Sequence, residues 1–189
     1  MPPKVKITTE KIIDTAVELV REGGAESLNA RALAALLGCS TQPVFSNFAT
    51  MESLRDEVIR AAYLRYHDFL KAEAESGKYP RYKAYGMAYI AFAREERELF
   101  KLLFMRDRSA EDTGAYSPDF LESVEMIMRA NGVSRERAGL MHTELWSAVH
   151  GIAVMSATSF LSFEWDAVSA MLSDVYQGLS ARHILEENK

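Results

Sequence analysis

The sequence predicts an all-α protein of about nine helices. Three observations lead there. Apolar residues recur at helical spacing in segment after segment, as in Ile12, Ala16, Leu19 and again in Leu54, Val58, Ala61. Helix-capping residues and stop signals punctuate those segments, with Asn29, Ser40, Thr50 and Ser134 at starts and Gly23-Gly24, Gly38 and Asn131-Gly132 at ends. No segment carries the alternation of a half-buried strand.

The first helix is expected over Thr9–Glu22, with Ile12, Ile13, Ala16, Leu19 and Val20 as its buried stripe. Asn29 caps a second helix carrying Ala32, Leu33, Leu36 and Leu37, and Gly38 ends it in a left-handed turn. Ser40 is the next cap. Pro43 falls in the first turn of a third helix, where a missing N–H breaks no helical bond, and Val44, Phe45 and Phe48 form that helix's apolar side. Two short helices around a Gly-containing turn read as a helix-turn-helix, whose second helix enters the major groove of DNA. Thr50 caps a long helix over Met51–Glu75, ended by the Ser76-Gly77-Lys78-Tyr79-Pro80 turn. That helix runs out of the DNA-binding segment, so tilting its far end would move the recognition helix.

A fifth helix is expected over Arg81–Arg94, a solvated bend at Glu95–Glu98 and an apolar continuation over Leu99–Met105. Asp107–Pro118 reads as a polar loop and Asp119–Ala130 as a helix. Ser134 opens a helix that holds Leu145–Gly151. The last helix reaches about Ile184, with a polar tail over Glu186–Lys189. Trp165, Val168, Leu172, Val175 and Leu179 share one of its faces at coiled-coil-like spacing.

The 189 residues suffice for one or two domains with a sizeable core. Hydrophobic residues at 48% and charged residues at 26% place the chain among globular rather than disordered proteins. The net charge of −5 argues against a broad coat of nucleic acid. In residues 1–49, Lys4, Lys6, Lys11, Arg21 and Arg31 balance Glu10, Asp14, Glu18, Glu22 and Glu26, so DNA would be held by a few placed cations and backbone amides. Lys4 and Lys6 form either a disordered tail or an arm on the phosphates or minor groove. Cys39 is alone, either a packing residue or a redox switch, and excludes an internal disulfide. No apolar run follows the N-terminal charges, so no signal peptide is expected. The uncharged stretch Trp146–Phe163 is broken by serines and reads as a buried helix rather than a membrane span. A cytoplasmic protein without membrane contact is the expectation.

Residues 9–54 resemble the DNA-binding domain of the tetracycline-repressor (TetR) family of transcriptional regulators. The resemblance rests on Ile12–Ala16 with Leu19-Val20 and Gly24, then Ser27-Leu28, Arg31 and Leu33-Ala34. Gly38-Cys39-Ser40, Phe45, Phe48 and Leu54 complete it. Phe45 stands where the family usually has Tyr, so a phenolic phosphate contact is absent, and Met51 stands where a Lys is common, which puts a phosphate contact there in question. Pro43 occupies a position more often small or hydroxylic. Farther on, Tyr89–Glu95 followed by Leu99–Phe104, and the run Trp146-Ser147-Ala148-Val149-His150-Gly151, resemble the WHG-type C-terminal domain of the same family.

The resemblance implies a helix-turn-helix domain over residues 1–54 and a ligand-binding and dimerisation domain over 55–189. It implies a regulator, most simply a repressor, of a palindromic double-stranded DNA operator, released by a small apolar or aromatic effector and working as a homodimer. The candidate DNA contacts are Arg31, Ser40, Thr41, Gln42, Pro43, Phe45, Ser46, Asn47 and Thr50. Gln42 is the strongest base reader, because an amide can pair with the donor and acceptor of adenine together. Thr50 is either a phosphate contact or a cap alone. The candidate effector residues are Tyr63, Tyr66, Tyr85, Tyr89, Phe92, Phe104, Trp146 and His150, a set that could equally be plain core. The candidate dimer contacts are Ser147, Gly151, Val168, Leu172, Val175 and Leu179, with Gly151 serving either a second subunit or close packing within one. A DNA-bound dimer without a ligand and a helical enzyme are the rival readings. No catalytic motif, metal set or cofactor signature supports the second: His142 and His150 lie two turns apart, about 12 Å, too far for one metal.

Overall fold

A computed structural model describes residues 7–109 and 118–188. Lys4, Lys6, Lys189 and residues 110–117 of the expected polar loop lie outside the described residues. Among the described residues there are nine α-helices and no strand. They are α1 (Thr9–Gly23), α2 (Ala30–Leu36), α3 (Gln42–Asn47), α4 (Met51–Glu75), α5 (Arg81–Glu95), α6 (Arg97–Phe104), α7 (Pro118–Asn131), α8 (Arg135–Ala157) and α9 (Trp165–Glu187), with a 3-10 turn at Ala25–Ser27. The last helix thus runs past Ile184 and takes in Glu186 and Glu187 of the expected polar tail. No helix among the described residues is long and apolar enough to cross a membrane.

Local chemistry sets most helix ends. The Thr8 hydroxyl accepts from the Lys11 amide, Asn29 Oδ1 from the Ala32 amide and Ser134 Oγ from the Arg137 amide. Each satisfies one orphan donor of a first turn. Thr50 and Ser53 bond reciprocally, Oγ1 accepting from the Ser53 amide at 3.1 Å and Ser53 Oγ from the Thr50 amide at 3.3 Å. This is a capping box with serine in place of the usual Glu or Gln. At the end of α2, Gly38 has φ 64°. Its amide bonds the Ala35 carbonyl, and the Cys39 amide bonds Ala34, the two bonds of a Schellman motif.

The chain divides into two compact units. One contains the chain up to Asp68 together with Glu96–Arg106; the other contains Phe69–Glu95 and the chain from Asp107 onward. The first unit is built on Ile12, Ala16, Val20, Leu33, Val44 and Leu54, all fully buried. Its sixth helix packs on α1 through Leu99, Phe100 and Leu103. The expected solvated bend at Glu95–Glu98 is corrected here: Glu96 is only 8% exposed. Its carboxylate takes Arg21 Nε at 2.6 Å and lies 3.6 Å from Arg65 Nη2, while Glu18 takes the same Arg65 at 2.7 Å. Two arginines thus stand where the sequence offered only solvent, as a buried carboxylate requires.

In the second unit α8 packs against α5, α7 and α9. Seven consecutive residues of α5, Met87–Ala93, are buried, so this helix is covered all round rather than along one stripe. Gly86 explains its close approach: a Cβ there would stand 3.3 Å from Leu172 and 3.4 Å from Val149. A core of Val124, Ile127, Val133, Ala138, Met141 and Leu145 joins α7 to α8.

Candidate functional site

The nine candidate DNA contacts lie within twenty residues on α2, α3 and the flanking turns, and most are exposed. Three local expectations fail. Ser40 does not cap α3; Thr41 holds that position and makes no side-chain cap bond. Phe45 does not share the apolar side of α3, since Val44 and Phe48 are buried at 0% and 6% while Phe45 is 50% exposed. Leu36 is likewise 60% exposed rather than packed. An aromatic ring and an aliphatic side chain therefore face outward from the helix-turn-helix.

The polar candidates differ in what already holds them. Ser46 Oγ donates to the Gln42 carbonyl at 2.8 Å. The Asn47 amide is engaged at both ends, Oδ1 accepting from the Thr9 hydroxyl at 2.8 Å and Nδ2 donating to the Pro43 carbonyl at 2.7 Å. Through Thr9 it ties α3 to α1. Gln42 and Arg31 are exposed, and neither has a side-chain partner among the described residues. Thr50 caps α4, as above.

The eight candidate effector residues fall in different units. Tyr63, Tyr66 and Phe104 belong to the first, where both tyrosines meet Phe104 edge-on, with ring centroids 6.2 and 5.1 Å away. Tyr85, Tyr89, Phe92, Trp146 and His150 belong to the second. Phe92 is fully buried against Phe69 and is core. Tyr89 and His150 bond at 2.9 Å, and Trp146 stacks on the His150 ring at 4.9 Å. Sequence reading missed a second pair of the same kind. Tyr82 bonds His142 at 2.8 Å, with Phe120 and Tyr176 against them. The signal was present: Tyr82 and Tyr89 are two turns apart on α5, as His142 and His150 are on α8. Burial pushes the Tyr82 phenol well above its ordinary value and holds the His142 and His150 imidazoles below theirs. Glu144 does not join either histidine; it bonds the fully buried His183 at 2.7 Å.

The candidate dimer face is corrected in part. Val168 and Leu172 are buried at 0% and 7% within their own chain, and Val175 and Leu179 pack on the α7–α8 core. That face already has its partner. Ser147 and Gly151 stand apart from it. A Cβ on Gly151 would meet nothing within 4 Å, and the same holds for the exposed Gly178 on α9. Close packing inside the subunit therefore does not require glycine at position 151.

Residues 82–175 match the family model of the tetracyclin repressor-like C-terminal domain, a span that includes Trp146–Gly151. Over its whole length the chain is 21% identical to YobS of Bacillus subtilis (strain 168), an uncharacterised HTH-type transcriptional regulator, covering 99% of it. The fold is similar to that of a TetR-like transcriptional regulator from Rhodococcus sp. RHA1, with TM-score 0.64, 17% identity and coverage of 94% and 96% of the two chains. It is also similar to a TetR variant from Acinetobacter baumannii AYE solved with minocycline, with TM-score 0.59, 17% identity and coverage of 94% and 99%.

The Tyr–His pairs, with their half-buried histidines, make stability depend on pH. His142 and His150 bind a proton less readily folded than unfolded. As pH falls below about 6.5, the unfolded value, the unfolded chain binds more protons and gains on the folded one. Melting temperature is therefore expected to be level above that pH and to fall between pH 6.5 and 5.5, a window above the ordinary carboxylate range. In thermal melts followed by circular dichroism, His142→Gln should flatten this slope; an unchanged slope would show that His142 does not contribute.

Proposed function

We propose that the chain is a member of the tetracycline-repressor family of transcriptional regulators, as its C-terminal family match, its full-length relative and its fold support, and that it is a cytoplasmic repressor, released from its operator by a small-molecule effector. It binds DNA through α3, set in the major groove by the turn at Gly38. The observation that carries this is the exposed face of α3, with Gln42 unengaged and the helix pinned from behind by Val44, Phe48 and the Thr9–Asn47 bond. Arg31 supplies a phosphate contact. The family consists of regulators, and the enzyme reading is set aside on that ground.

The effector site is proposed for the C-terminal helices, around the Tyr89–His150–Trp146 chain. A fold neighbour that binds minocycline supports a small-molecule site on this fold. Release would pass along the chain where it changes unit, within α4 and between α5 and α6. The homodimer is proposed to form on the open sides of α8 and α9, through Leu140, Thr143, Ser147 and Gly151 and through Ala170, Gly178, Ala181 and Leu185. These positions recur at three- and four-residue spacing, apart from one eight-residue step between Ala170 and Gly178, and are exposed or half-buried in the single chain. A two-fold dimer requires a palindromic operator.

Three outcomes test these assignments. Gln42→Ala should cost about 1–3 kcal/mol at one base pair and relax the preference there, while Arg31→Ala should weaken all sequences and reduce the salt slope by about 1. Binding titrations against a set of mismatched operators separate the two; equal losses on every sequence would remove Gln42 as a reader. Bound effector should weaken operator binding by about 1–3 kcal/mol, and operator should weaken effector binding by the same factor. Calorimetric titration with and without DNA measures this, and identical effector affinities in both would rule out release by the effector. The Cβ that Gly151→Phe adds would meet nothing within 4 Å in the single chain. The variant should keep the helical signal yet split the dimer in sedimentation; a folded variant dimer with full operator affinity would remove Gly151 from the interface.

A further inference from the structure

The exposed face of α3 carries an apolar reader as well as a polar one. Of the polar side chains, the Ser46 hydroxyl donates a hydrogen bond to the Gln42 carbonyl and Asn47 is held at both ends of its amide. A bidentate base contact needs both ends of an amide turned to the base edge, so Asn47 acts as a brace for the helix. Gln42 remains, and one turn later on the same face stands Phe45.

Phe45 is 50% exposed on a six-residue helix whose inward side is already supplied by Val44 and Phe48. Leaving a large ring in water forgoes the gain of burying it, and nothing within the helix's own packing requires a ring there. The phenyl group has no hydrogen-bonding atom, so it cannot bond a phosphate. In the major groove the apolar group that a base presents is the 5-methyl of thymine. The Cβ atoms of residues i and i+3 stand about 5–6 Å apart. The base-pair rise is about 3.4 Å. A contact by Phe45 therefore falls one or two base pairs from the one read by Gln42.

We infer that Phe45 is a specificity-determining residue that packs against the 5-methyl group of one thymine in each operator half-site. The inference rests on the DNA-binding reading of α3, and its test fails differently from that reading. The full chain is used to enrich duplexes from a randomised pool. Each thymine of the enriched half-site is then replaced by deoxyuridine, which removes the methyl group alone. At one thymine per half-site the wild-type chain should lose affinity about fourfold, the worth of one buried methyl-sized group. Phe45→Ala should lose that sensitivity while the other positions keep theirs. Wild-type affinity indifferent to deoxyuridine at every thymine would overturn the inference, as would an equal loss in Phe45→Ala. The wild-type scan decides the question even where Phe45→Ala binds too weakly to measure. A pool in which no sequence is enriched would instead overturn the DNA-binding reading itself.

Discussion

The burial of Glu96 is the constraint on which the first unit depends. A carboxylate taken out of water must be paired, and this one is held by Arg21 from α1 and Arg65 from α4. Arg65 and Arg21 also share Glu18, so four alternating charges join three helices. Glu18 sits below the usual carboxylate range, chiefly because Arg65 bonds it. The Arg21 and Arg65 side chains keep 42% and 37% of their surface, so the pairs gain less than fully buried ones would. Their larger effect is positional: removing Glu96 would leave both guanidinium groups to share Glu18 and would free α6 from this tie.

The consequence is a unit assembled from separated parts of the chain. The eight-residue α6 folds against α1 although about seventy positions lie between them. Its buried Leu99, Phe100 and Leu103 supply apolar area that α2 and α3, at seven and six residues, are too short to provide. Short helices in isolation are unstable, so the helix-turn-helix needs this support. The fixed frame behind α3 then leaves its outer face free of structural duty, which is where Gln42 and Phe45 stand.

The second unit meets a different demand. Its helices are long and apolar, and their buried polar atoms need partners. Tyr82 with His142 and Tyr89 with His150 answer it twice, two turns apart, along the α5–α8 contact. Glu144 with His183 does so between α8 and α9, and Asn131 bonds Tyr176 from the end of α7. Each pair also sets how the two helices are aligned along their axes, since sliding one past the other would strand both polar groups.

What could be read from the sequence was local. The all-α class, the caps at Asn29, Thr50 and Ser134, the left-handed turn at Gly38 and the helix-turn-helix depend on interactions within about four residues, and the sequence by itself determined them. What only the tertiary structure decided depends on which distant residues meet. Glu96 read as a solvated bend because Arg21 lies 75 positions away. Val168 and Leu172 read as a face awaiting a second subunit because helical spacing marks an apolar face without saying what covers it. The aromatic candidates read as one set until the fold placed Tyr63, Tyr66 and Phe104 in one unit and Tyr89, Trp146 and His150 in the other. Asn47 and Gln42 carry the same amide group; only the approach of Thr9, 38 positions earlier, engages the oxygen of the first and leaves the second unengaged. The physical reason is the same throughout: backbone geometry fixes a residue's neighbours one turn away, while burial and pairing are settled by packing between segments far apart in the chain.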